Sequence, residues 1–81
     1  MVTPESIKQS IAAAIACDHV EVAGDGQHWE AVIVSDAFEG LSKVRQHQLV
    51  YAALGDRMRE EIHALSMTTL TPAQWTAARK P

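Results

Sequence analysis

Four histidines, at positions 19, 28, 47 and 63, stand in a chain of 81 residues that has a single cysteine, Cys17. Imidazole is the side chain best suited to carry protons or bind borderline metals near neutral pH, so these residues are where chemistry would begin. His28 follows a glycine turn, Gly24-Asp25-Gly26-Gln27, and opens an apolar run, Trp29 to Val34. His63 opens the alternating run that ends at Thr69, and His19 opens Val20-Glu21-Val22-Ala23. If the second and third of these runs are parallel neighbouring strands, their starting residues share one end of the sheet. Adjacent strands lie about 4.8 Å apart, so His28 and His63 could share a ligand there. His19 then belongs at the far end, because its strand runs the other way. Two histidines are an incomplete metal site, since structural zinc takes four ligands and catalytic zinc usually three. A metal held by His28 and His63 would need further ligands from a partner.

Other chemistry is thin. His47 falls three residues after Val44 and four before Tyr51, on or beside a helical apolar stripe, and reads as a partly buried structural histidine. Cys17 follows Ala12-Ala13-Ala14-Ile15-Ala16 and reads as a small core residue with no disulfide partner. There is no Gly-x-Ser-x-Gly elbow, phosphate loop or Cys-x-x-Cys pair. Gly24-Asp25-Gly26 is too short for a dinucleotide fingerprint and reads as a hairpin turn. Asp25 and Glu30 flank His28, while Ser35, Ser42 and Ser66 are scattered. Glu60-Glu61 reads as a solvated helix end. The pattern points away from an enzyme.

The elements that must position the histidines follow from local signals. Thr3-Pro4-Glu5 is a helix start, with Thr3 as cap and Pro4 at the first helical position. Ile7, Ile11, Ala14 and Ile15 then recur at helical spacing, which predicts a helix to about Ala16. His19 to Ala23 and Trp29 to Val34 are predicted as a hairpin of two strands, with Ala31 and Ile33 on one face and Val32 and Val34 on the other. Ser35 to Gly40 is a connection. A long helix starts at Ser42, with Val44, Tyr51, Leu54 and Met58 as its expected stripe, widened by Leu49, Val50 and Ala53. Gly55-Asp56 should end it and begin a second, short helix. Ile62 to Thr69 is predicted as the third strand. Thr71-Pro72 repeats the N-terminal helix signal, with Trp75 expected to pin the last helix down. The order is αββααβα, an α+β fold with a three-stranded mixed sheet covered by helices.

Length and composition bound the rest. The chain allows one domain, 1–81, with 47% hydrophobic and 21% charged residues, ordinary for a globular protein. Its net charge of −3 argues against a general nucleic-acid binder, which usually carries a basic excess. No run approaches the ~18 apolar residues of a membrane span, and Met1-Val2-Thr3-Pro4-Glu5 lacks signal-peptide character. A cytoplasmic location is the default expectation.

Several segments, taken in order, resemble the BolA family: Phe38-Glu39-Gly40-Leu41-Ser42, His47-Gln48-Leu49-Val50-Tyr51, Ile62-His63-Ala64-Leu65, and Thr69-Leu70-Thr71-Pro72-Ala73-Gln74-Trp75. Gly24-Asp25-Gly26-Gln27-His28-Trp29 resembles the loop of its IbaG-like branch. The resemblance implies a class II KH-like αββααβα fold and partnership with a monothiol glutaredoxin through a bridging [2Fe-2S] cluster. In that arrangement the glutaredoxin and its bound glutathione supply thiolates. The BolA protein supplies the histidine opening its third strand, here His63, and can also supply a histidine or cysteine from the loop between its first two strands, here His28. The isolated protein would then hold no cluster stably. Gln46-His47-Gln48 stands where many members carry Arg-His-Arg. That weakens the alternative function the fold suggests, a nucleic-acid-binding transcriptional regulator with contacts at Lys43, Arg45, Arg57 and Arg59.

Overall fold

The computed structural model describes residues 2–60, 62 and 64–79, with backbone alone for residues 59 and 60. The element order is α1 (Pro4–Ala14), β1 (His19–Gly24), β2 (His28–Val34), a 3-10 turn (Asp36–Phe38), α2 (Lys43–Leu54), α3 (Arg57–Glu60), β3 (Ala64–Leu70) and α4 (Pro72–Arg79). This is the αββααβα order expected. The sheet runs β1-β2-β3, with β1 antiparallel to β2 and β3 parallel to it.

Capping decides where the helices start. Thr3 Oγ1 accepts from the Ser6 amide and Ser6 Oγ accepts from the Thr3 amide, a reciprocal box that satisfies two otherwise orphaned donors. Thr71 and Gln74 form the same box ahead of α4. Helix α1 stops at Ala14 rather than Ala16, because Ile15 is already extended, and Ala14 itself is exposed. Gly55 closes α2 at φ 58° and ψ −134°, a conformation that a Cβ would strain.

One face of the sheet carries the core. Val20, Trp29, Ala31 and Ile33 are buried against Ile7, Ile11 and Ile15 of α1 and Val50 and Leu54 of α2, with Phe38 and Ile62 closing the ends. Phe38 belongs to the 3-10 turn, within the segment expected as a plain connection. Its full burial contributes roughly 1.5–3 kcal/mol. Gly24 sits in register with Trp29, and a Cβ there would come within 2.6 Å of the indole ring and 2.4 Å of the His28 carbonyl oxygen. The hairpin thus closes only around a glycine.

The buried face of α2 differs from the expected stripe. Val44 is 67% exposed and Tyr51 42%, and Leu49 is also exposed; the buried residues are Gln46, Val50 and Leu54. Ala53 and Met58 pack partly against the core. The helix is rotated because the Gln46 amide turns inward. Its Nε2 donates to the carbonyls of Phe38 (3.2 Å) and Leu41 (2.9 Å), and its Oε1 accepts from the buried Thr69 hydroxyl at 2.6 Å. Hydrophobic periodicity cannot register a buried glutamine. His47, one residue on, is half-buried as expected.

Replacing Gln46 with Leu should therefore destabilise the protein by roughly 2–4 kcal/mol, because it strands the buried Thr69 hydroxyl and the Leu41 carbonyl, while the Phe38 carbonyl keeps the Leu41 amide. Urea denaturation measures this. In a double-mutant cycle, Gln46→Leu with Thr69→Val should cost clearly less than the sum of the single changes. Simple additivity would show that the two side chains are not coupled.

Candidate functional site

The sheet's second face is only partly covered. At one end His19, Val34 and Leu70 stand in register. There Trp75 of α4 stacks on His19 with ring centroids 4.7 Å apart and planes 20° from parallel, and Arg79 lies over the other ring system of the clamp, 5.2 Å from the Trp75 centroid. His19 Nε2 is 3.1 Å from Glu21 Oε1, within ion-pair range but off the direction of a hydrogen bond. Trp75 thus pins α4 as the sequence suggested, and His19 is its seat on the sheet rather than a ligand.

At the opposite end His28 starts β2, in register with Ala64 at the start of β3. This places His19 and His28 at opposite ends, as the strand directions required. His28 is exposed. It borders a shallow cleft of about 450 Å³ that Asp25, Trp29, Glu30, Ala64 and Ser66 also line. Ala64 follows His63 in the sequence. His63 itself, the second candidate ligand, lies outside the described residues.

The loop that carries His28 is tied down by one carboxylate. Asp25 Oδ1 accepts from the amides of Gln27 and His28, both at 2.9 Å, and the Asp25 amide donates to the His28 carbonyl at 3.2 Å. These bonds, that from the His28 amide first and that from Gln27 next, hold the Asp25 carboxyl below its ordinary value near 3.8. One carboxylate oxygen is therefore committed to shaping the loop. The Trp29 indole N–H is buried beside this cleft and finds no acceptor among the described residues.

The remaining candidates scatter. Lys43 Nζ donates to the Thr69 carbonyl. The Arg57 guanidinium binds the Ser6 carbonyl, the Ser6 hydroxyl and the Ser10 hydroxyl at 3.0, 2.9 and 2.7 Å, tying α3 to α1. Arg45 is exposed near the start of α2, and the side chain of Arg59 lies outside those described. Two of the four cations named for nucleic-acid contact thus serve internal bonds. Cys17 is half-buried against the core and its thiol donates to the Ile15 carbonyl at 3.2 Å. Burial first, and Asp18 next, push its pKa up, which favours the unreactive thiol. Among the described residues no three His, Cys, Asp or Glu side chains converge to hold a metal ion. No helix among them is long and apolar enough to cross a membrane.

Comparison with known proteins is consistent across sequence and structure. The family model for BolA-like proteins matches residues 2–74. The acid stress protein IbaG of Escherichia coli is 36% identical over 75 residues, which cover 91% of this chain and 89% of that protein. The structure of a bolA protein homologue from Coxiella burnetii superposes with a TM-score of 0.85 at 44% identity, covering 94% of this chain and 99% of that one. The BolA domain of SufE1 from Arabidopsis thaliana gives 0.76 at 34% identity, over 86% and 92% of the two chains.

Because the Asp25 pKa is lowered on folding, its contribution to loop order is fully present above about pH 3.8, its ordinary value, and is lost as pH falls through the depressed value. In an NMR titration the Gln27 and His28 amide resonances should each show a step with its midpoint below that ordinary value, where the Asp25 carboxylate takes up its proton. Asp25→Ala should remove this step. A step at acid pH that persists in Asp25→Ala would contradict this role for Asp25.

Proposed function

The chain belongs to the BolA family, and on that footing we propose that it is a non-catalytic adaptor that binds a monothiol glutaredoxin and co-ligates a bridging [2Fe-2S] cluster. His28 and His63 would be this chain's ligands, and the glutaredoxin with its glutathione would supply the thiolates. The carrying observation is the register of β2 and β3, which sets His28 opposite Ala64, the residue that follows His63. His28 is exposed, begins the central strand of the sheet and stands beside an open cleft, so a partner can approach it without unfolding anything. The donor chemistry also fits, because imidazole nitrogens replace cysteine thiolates in two-histidine clusters. A ligand set that is incomplete within one chain suits a protein whose task is to share a cluster. That the BolA unit occurs as a domain of SufE1 likewise suits a module that works attached to, or beside, another protein.

The neutral imidazoles would lower the cluster's negative charge relative to an all-thiolate set and raise its potential. The residues of this chain do the rest. Asp25 holds the His28 backbone in place, the β2–β3 ladder fixes the start of β3, and the open cleft leaves room for the partner. Nucleic-acid binding draws less support, since Lys43 and Arg57 are spent on internal bonds and the net charge is −3.

Co-purification with a monothiol glutaredoxin, iron and glutathione should yield a coloured mixed complex, while the protein alone retains no cluster. His63→Ala should damage the visible spectrum most. His28→Ala should damage it less, and less severely than its combination with His63→Ala. His47→Ala should lower thermal stability and leave the spectrum nearly unchanged. The proposal fails if both ligand variants, singly and together, keep the spectrum and cluster lifetime of the wild type.

A further inference from the structure

Strand β3 forms an edge of the sheet that no strand among the described residues pairs with, and its hydrogen-bonding phase can be read from one bond. The Ser35 amide donates to the Leu70 carbonyl at 3.0 Å, which continues the β2–β3 ladder. In a parallel pair, the N–H and C=O of one residue point to the same side, and successive residues alternate. Thr68, Ser66 and Ala64 therefore face β2 like Leu70, while Thr69, Met67 and Leu65 face away. Lys43 confirms the phase, because its ammonium reaches the outward carbonyl of Thr69 from α2. The outward groups of Leu65 and Met67 have no partner among the described residues.

Sheet edges are normally protected by charge, proline, bulges or cover, because a free row of amides and carbonyls is a template for another strand. The β3 sequence, Ala64-Leu65-Ser66-Met67-Thr68-Thr69-Leu70, has no charge and no proline. Lys43 protects only the Thr69 end. We propose that two copies of this chain pair antiparallel through β3, about a twofold axis at Ser66.

The exposed groups select this occupant and this register. With the axis at Ser66, Leu65 lies opposite Met67 of the second copy, and each such pair exchanges both N–H···O bonds. The same surface meets itself, as a closed twofold interface requires. A register centred on Met67 would instead set Leu65 against Thr69, whose carbonyl Lys43 already occupies. Ser66 is exposed and uncharged, so two copies meet there without repulsion. The half-buried Leu65 and Met67 side chains gain cover on the other face. The result is one continuous sheet with both His28 clefts on the same side. The pairing does not rest on the cluster-sharing role, although Ser66 also lines the His28 cleft, so a second copy would border the site proposed for the partner.

Sedimentation from micromolar to millimolar concentration, combined with amide exchange followed by NMR, tests it. A monomer–dimer equilibrium is expected. The Leu65 and Met67 amides should exchange freely when dilute and slow by about tenfold or more when concentrated, while Ser66 and Thr68 stay protected throughout. Ser66→Lys and Ser66→Glu should each raise the dimer Kd by about tenfold or more, because like charges then face each other directly. An equimolar mixture of the two variants should restore the dimer, which also shows that both remain folded. A monomer at every concentration would overturn the proposal. So would a dimer in which Leu65 and Met67 exchange is unchanged, or charged variants that associate like the wild type.

Discussion

A glutamine amide buried under the crossover must find partners, and the partners available to Gln46 are spread over three segments. Two are carbonyls of the 3-10 turn and the loop after it, Phe38 and Leu41, and the third is the Thr69 hydroxyl on β3. A buried polar group left unmade costs more than a made one contributes, so the network is satisfied as a unit. Satisfying it draws the turn, the start of α2 and the end of β3 together. The Lys43 ammonium on the Thr69 carbonyl adds a second tie at the same place. These bonds locate β3 beside β2, and the ladder then carries that register to the far end, where His28 meets Ala64.

The two ends of the sheet consequently have different fates. One is closed by the stack of His19 on Trp75, with Val34 fully buried. The other is open, and its single described imidazole stands on a loop whose shape Asp25 dictates through two backbone amides. The core lies on the opposite face and is complete without either histidine. A ligand at His28 thus meets a backbone already held by strand pairing on both sides of β2 and by Asp25, which is the condition for a precise site on a small protein.

Much of this was legible from residue types. Thr-Pro signals placed α1 and α4, the paired glycines placed the hairpin, and strand direction alone sent His19 and His28 to opposite ends. The face of α2 was not legible. Val44 and Tyr51 have the apolar character and spacing of a core stripe, yet they are exposed, because Gln46 is held inside by carbonyls that no sequence pattern announces. The same residue looked like the loss of a positive charge when set against the family pattern, and its position makes it a core residue. Lys43 and Arg57 looked like surface cations for the same reason: their partners are backbone carbonyls and serine hydroxyls, invisible to charge counting. Of the candidate pair, His28 stands where its spacing placed it, and His63 lies outside the described residues.

On the proposed function, this chain contributes imidazole nitrogen to a shared cluster. Pulsed electron paramagnetic resonance on the reduced mixed complex tests it most directly, with nitrogen-15 histidine incorporated only into this chain. Strong nitrogen-15 couplings from two inequivalent imidazoles are expected, with one set lost in His28→Ala, the variant expected to retain more of the cluster. A reduced cluster in the intact complex with no nitrogen-15 coupling from this chain would contradict it.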